Sequence, residues 1–162
     1  LEPDDYTTST NAGIKFGRCV SIDGDYAVVS ATNESSVYDK YGAAYIFERD
    51  SNGNWGKEKS GQTYRTETVK IRPASYGSNQ AGYGTFGKLV AINGNHVIVC
   101  WDMFSNKKGQ AYIFKRGSDG KWGAEVTNQT YRTETQSIQG SDTTGSDFFS
   151  STIDFYNLPY FT

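Results

Sequence analysis

The feature that most constrains this chain is that it repeats itself. Phe16-Gly17 through Asp23-Gly24-Asp25 returns as Phe86-Gly87 through Asn93-Gly94-Asn95, 70 residues later. Beyond that point the spacing becomes 67: Gly42-Ala43-Ala44-Tyr45-Ile46-Phe47 matches Gly109-Gln110-Ala111-Tyr112-Ile113-Phe114, and Trp55-Gly56 matches Trp122-Gly123. Gln62-Thr63-Tyr64-Arg65-Thr66-Glu67-Thr68 recurs unchanged at 129 to 135. A period of this length marks supersecondary units that bury their apolar faces by stacking, since one unit alone has nothing to pack against.

The repeat divides the chain into 1–15 as the end of a preceding repeat and a linker, 16–72 as repeat one, 73–140 as a connection and repeat two, and 141–162 as the start of a third. Leu1-Glu2-Pro3 aligns with Ile71-Arg72-Pro73, the close of a unit, while Ser151-Thr152-Ile153-Asp154 echoes a first strand. Two complete units and two fragments fall short of the roughly three repeats that stacked folds need. The expectation is therefore a section of a longer protein, or copies that assemble head to tail through their terminal strands.

Each unit reads as four short antiparallel strands. Asp23-Gly24 and Asn93-Gly94 supply the backbone angles of a tight hairpin between strands at about 18–22 and 26–31. A third strand runs from Ala43 to Arg49, and a fourth region begins at Trp55 and carries the alternating Tyr64-Thr66-Thr68 and Thr63-Arg65-Glu67 faces. Composition agrees: three Leu against nine Ile, nine Val, 12 Tyr and 16 Thr is a strand-forming palette. The fold class expected is all-β.

Taken in chain order, Phe-Gly, strand, Asp/Asn-Gly hairpin, Val28-Val29-Ser30-Ala31, loop, Gly42-Ala43-Ala44-Tyr45-Ile46-Phe47, turn and Trp55 resemble the FG-GAP repeat of integrin α-subunit heads and of many extracellular microbial proteins. The resemblance implies blades of a β-propeller. Two departures stand out. The segment Gly56 to Thr68 exceeds the usual link to the next blade, and Ala31-Thr32-Asn33 and Trp101-Asp102 replace the family's Gly-Ala-Pro.

Several functions are set aside on chemistry. Sixteen basic against 18 acidic side chains leave a net charge of −2, so no basic field exists for nucleic acid. No apolar stretch is long enough to span a bilayer, and the first residues lack the regions of a signal peptide. His96, the single histidine, falls in a strand where the other unit has Tyr26, and no nucleophile, P-loop or dinucleotide motif is present. An enzyme is not expected. Cys19 and Cys100 read as small apolar strand residues rather than a disulfide framework.

The candidate calcium ligands are Asp50, Asn52 and Asn54, with oxygens at alternate positions, but the equivalent loop places Lys121 where Asn54 stands. No cofactor is therefore expected. Tyr38, Tyr41, Trp101 and Phe104 differ between the units and precede the Gly-Ala strand, so they are the candidate interaction residues, for protein or for glycans. Asn33 and Asn128 head two N-glycosylation sequons. The function expected is an extracellular, non-enzymatic module for adhesion or structural assembly, with lectin-like carbohydrate binding by loop aromatics as the alternative.

Overall fold

The computed structural model describes residues 1–4, 14–32, 42–75, 85–102 and 109–139, and among these all regular structure is β. Unit one contains β1 (Phe16–Asp23), β2 (Tyr26–Ala31), β3 (Ala43–Glu48), β4 (Lys57–Glu58), β5 (Arg65–Thr66) and β6 (Val69–Ile71). Unit two repeats them as β7 (Phe86–Asn93), β8 (His96–Trp101), β9 (Gln110–Lys115), β10 (Ala124–Glu125), β11 (Tyr131–Thr133) and β12 (Gln136–Ile138).

The expected hairpins are present in matching register. Asp23 pairs with Tyr26 and Val20 with Val29 across the first, as Asn93 pairs with His96 and Val90 with Val99 across the second. β2 and β3 then pair antiparallel from Tyr26–Glu48 to Ala31–Ala43, and β8 and β9 from His96–Lys115 to Trp101–Gln110. Blade one is thus β1-β2-β3-β6 and blade two β7-β8-β9-β12.

The fourth strand differs from the sequence expectation. It is only Val69–Ile71 in blade one and Gln136–Ile138 in blade two, each antiparallel to the third strand. The preceding segment leaves the blade as a short two-stranded arm, β4 paired with β5 and β10 with β11. Arm two reaches back to blade one, where β11 runs parallel to β6 with Tyr131 beside Lys70 and Arg132 beside Ile71. The alternating Thr and Tyr of the fourth region therefore serve two partners, because a chain crossing between blades must change the sheet it bonds to.

Each blade has an aromatic face and an aliphatic face. Blade one turns Val28, Ala44, Ile46 and Ile71 toward blade two, which answers with Phe86, Val90, Ile92, Val97, Tyr112 and Phe114 in one continuous core. The other face of blade one holds a separate cluster of Val29, Ala31, Ala43, Tyr45 and Phe47, with Phe16 and Trp55 against it. Phe16 meets Tyr45 edge to face at 5.7 Å, as Phe86 meets Tyr112 at 5.6 Å. Such T-shaped pairs add about 0.5–1.5 kcal/mol beyond burial, so the Phe of each Phe-Gly is the aromatic keystone of its blade.

Candidate assembly interface

Three consecutive inward side chains of β1 hold the junction between the blades. Cys19 Sγ, Ser21 Oγ and Asp23 Oδ2 accept from the outward amides of Val90 (3.4 Å), Ile92 (3.2 Å) and Gly94 (2.6 Å). β7 is the edge of its sheet, so the part-buried Val90 and Ile92 amides would otherwise lack partners in the junction, at a cost of about 1–3 kcal/mol each, while the Gly94 bond is exposed. Side chains of one blade thus complete the hydrogen bonding of the next blade's edge.

The backbones approach as closely as glycine allows. A Cβ on Gly42 would lie 2.3 Å from the Phe86 carbonyl oxygen, and one on Gly87 would lie 2.9 Å from the Ser30 Cβ. Across the rim, the Arg116 guanidinium sits 4.9 Å above the Tyr26 ring and 3.8 Å from Glu48, while Trp122 meets Tyr26 edge to face at 5.5 Å. Burial and the neighbouring Glu48 carboxylate push the Tyr26 hydroxyl above its ordinary pKa, so it stays protonated and donates to Glu48 at 3.4 Å.

The repeated heptapeptide builds the second half of the interface. In arm one the Arg65 guanidinium donates to the carbonyls of Trp55 (3.0 Å) and Gly56 (2.7 Å), and Arg132 does the same for Trp122 and Gly123. Thr66 and Thr133 are buried, each with its carbonyl 2.3 Å from where a Cβ on Gly56 or Gly123 would stand. Thr68 Oγ1 accepts from the Glu48 amide at 3.0 Å, and Thr135 Oγ1 from Lys115 at 3.2 Å. The Trp-Gly pair and the arm are therefore one device, and the glycine exists to admit the threonine backbone.

What remains of the heptapeptide faces the preceding blade. The Arg72 amide donates to the Arg132 carbonyl at 3.0 Å, and the Ala74 amide to the Glu134 carboxylate at 2.7 Å. On arm one the same positions are filled by the first residues of the chain: the Glu2 amide donates to Arg65 at 3.0 Å and the Asp4 amide to Glu67 at 2.8 Å. Pro3 and Pro73, between these donors, are both buried. The alignment of Leu1-Glu2-Pro3 with Ile71-Arg72-Pro73 is thus a structural equivalence.

The interface is complete on only one side of each blade. Val90 and Ile92 of β7 are 4% and 5% exposed, but Val20 and Ile22 at the same positions of β1 are each 64% exposed. Ile71 of β6 is fully buried in the core shared with blade two, whereas its counterpart Ile138 is 39% exposed. Ile98 and Ile113, which match the fully buried Val28 and Ile46, are half-buried. Burying one such side chain contributes about 1.5–3 kcal/mol, so these open positions are substantial unused association energy.

The sequence-derived site residues fare differently. Trp101 is corrected: it is the last residue of β8 and fully buried, 6.2 Å from Phe86, so it is a core ring with no face to offer a partner. The alignment of Trp101 with Ala31 hides this, because the larger ring is accommodated inside the blade. Tyr38, Tyr41, Phe104 and Asn33 lie outside the described residues, as does the 141–162 fragment. Asn128 is exposed, with a left-handed φ of 61° in the turn of arm two.

Asp50 folds its own loop. Its Oδ1 accepts from the amides of Asn52 (2.9 Å) and Asn54 (2.8 Å), and its Oδ2 from the Asn54 side chain (3.4 Å) and Arg65 (3.2 Å). The Asn54 amide foremost, with its side chain, Asn52 and Arg65, holds the carboxyl below the usual carboxylate range. Among the described residues no three His, Cys, Asp or Glu side chains converge as a metal site. Cys19 and Cys100 are not joined: Cys19 is half-buried at the junction and Cys100 is buried in β8.

A repeated four-stranded blade that opens on Phe-Gly, stacked on its neighbour face to face, defines the class as a β-propeller-type blade module. The family model described as FG-GAP repeat matches residues 8–47, which bears out the resemblance read from the sequence for that segment. The match ends at Phe47, ahead of Trp55-Gly56 and the whole of arm one. No curated protein and no solved structure matches the chain.

Proposed function

We propose that this chain is a non-enzymatic, extracellular FG-GAP repeat module for structural assembly and adhesion, in which further blades of the same kind stack on its two open faces. Those blades belong to a longer propeller or to copies of the chain arranged head to tail as a filament. The observation that carries this reading is that the open faces are the two unlike halves of a junction the molecule already makes once: the Val20 and Ile22 side on blade one and the Ile98, Ile113 and Ile138 side on blade two. Such a contact joins different surfaces and so runs on until a rotation closes it. The extracellular setting rests on the resemblance to integrin-type repeats and on the exposed Asn128 sequon.

The test is sedimentation equilibrium of the full chain over rising concentration. Self-association is expected, and Ile22→Asp and Ile138→Asp, which change exposed side chains, should each abolish it. A chain that stays monomeric at every concentration, with both variants indistinguishable from it, overturns the reading.

A further inference from the structure

Each arm holds an extended segment in the same way, and the two occupied arms reveal what the holding site reads. Two amides two residues apart are bound, the first by the carbonyl of Arg65 or Arg132 and the second by the carboxylate of Glu67 or Glu134. Between them stands a buried proline, which has no N–H to satisfy and confines the residue before it to extended backbone. The side chain ahead of the proline is Glu2 in one segment and Arg72 in the other, and on arm two the Arg72 guanidinium stacks 5.3 Å above the Tyr131 ring.

The residue after the proline is where the two sites part. On arm one Asp4 is gripped by Lys59, whose Nζ lies 2.9 Å from the Asp4 carboxylate and donates to the Asp4 carbonyl at 2.8 Å. On arm two the segment has Ala74 at that place, and the residue matching Lys59 is Val126. Cation with anion and apolar with apolar thus change together between two copies whose Arg, Thr and Glu are identical.

We propose that each arm is a peptide-recognition site for an extended X-Pro-X segment, in which the side chain at position 59 or 126 selects the residue on the C-terminal side of the proline. Arm one takes a closing segment with Pro-Asp, and arm two one with Pro-Ala. Recognition is β-strand addition: main-chain bonds give affinity and a side-chain contact gives choice. Arm one is filled by the chain's own Glu2-Pro3-Asp4, so its partner is the closing segment of another blade whose Pro-Asp displaces these residues. In this sequence Ile138-Gln139-Gly140-Ser141, the equivalent segment of unit two, lacks both the proline and the acid. A second copy's closing segment is therefore a poor competitor for arm one. The inference rests on the assembly reading for its biological use, but its test does not depend on self-association.

The experiment uses the full chain carrying Pro3→Gly, which loosens the resident segment, and measures fluorescence anisotropy of labelled, acetylated Leu-Glu-Pro-Asp, Leu-Glu-Pro-Ala and Ile-Gln-Gly-Ser peptides. Near-UV circular dichroism establishes that each variant is folded. Saturable binding is expected, tightest for the Pro-Asp peptide, weaker for Pro-Ala and weakest for Ile-Gln-Gly-Ser. Adding Glu67→Gln should weaken the Pro-Asp peptide about tenfold, because the amide oxygen can still accept but the hydrogen bond loses its charged acceptor. Glu134→Gln should leave it unchanged, because that arm is filled by Ala74. Lys59→Val should remove the preference for Asp over Ala, an exposed ion pair worth a few-fold in affinity and reduced by salt. Absence of saturable binding by a folded variant, equal binding of all three peptides, or indifference to Glu67→Gln overturns the proposal. Sedimentation of the unmodified chain reports the assembly reading separately.

Discussion

Blade one and blade two carry nearly the same residues at the same positions, yet their β1 and β7 strands live in different environments. Val90 and Ile92 are core residues and Val20 and Ile22 are surface residues, although each pair extends the same alternation from the same Phe-Gly. The converse holds at the other end, where Ile71 is covered by blade two and Ile138 is exposed. The difference teaches that in a stacked repeat burial belongs to the junction and not to the unit. A residue's pattern says which face it is on, and a neighbour decides whether that face is inside.

The largest expected effect breaks this comparison directly. Ile92→Asp places an unpaired carboxylate in the junction and should cost several kcal/mol, while Ile22→Asp at the equivalent exposed site should cost less than about 0.5 kcal/mol in the isolated chain. Urea denaturation of both variants checks it, and equal losses would mean that β1 and β7 are buried alike.

Gly87→Ala and Gly17→Ala come next. Both glycines have left-handed φ, 86° and 83°, so both variants carry the strain of that backbone, on the order of 1 kcal/mol. Only Gly87 faces a neighbour, the Ser30 Cβ, while a Cβ on Gly17 meets nothing within 4 Å. The excess loss of Gly87→Ala over Gly17→Ala in thermal melts therefore isolates the blade contact, and no excess would remove it.

Ser21→Ala takes the acceptor from the Ile92 amide and should lose about 1–2 kcal/mol. Ala91, its counterpart, already lacks a hydroxyl and is itself buried, so the reverse change Ala91→Ser adds a buried hydroxyl and should cost about 1–3 kcal/mol. Amide exchange at Ile92 reads the first variant, and unchanged protection would contradict the ladder of β1 side chains.

Acid should separate the units by a smaller amount. Burial pushes the Asp102 carboxyl up, but the Lys88 ammonium at 2.6 Å and the Thr85 amide at 3.1 Å outweigh it and hold the pKa below the usual range. A carboxylate depressed on folding stabilises above its unfolded pKa, near 4, and loses that contribution as pH falls through the lower folded value. Unit one has Thr32 at this place. Unit two should thus lose exchange protection first on acidification, and Asp102→Asn should flatten that part of the profile. Smallest of all is the effect of a calcium chelator: with the Asp50 oxygens engaged by its own loop and Arg65, the melting temperature should not move.

Much of the architecture is legible in the sequence because it depends on short-range rules. The Asp-Gly and Asn-Gly turns fix their hairpins, the alternation along Ala27 to Ala31 fixes which side chains share a face, and the return of each landmark fixes two equivalent blades. The unchanged recurrence of Gln62 to Thr68 is itself a signal, since strand cores tolerate exchange among Val, Ile and Ala whereas a hydrogen-bonding device does not. Its alternation alone places it in a blade strand and leaves its arginine and glutamate without a role.

The sequence by itself determined the blade: its turns, its period, its two unlike faces and its aromatic keystone, all encoded within a few residues of one another. Only the tertiary structure decided that the arm leaves one blade to bond the one before it, that Trp101 is core, and that Cys19, Ser21 and Asp23 complete the edge of β7. The arm and the β1 ladder join residues some 60 to 71 positions apart, and no local propensity can express such contacts. They arise from the need to pair every buried amide at a surface that exists only once two blades have met.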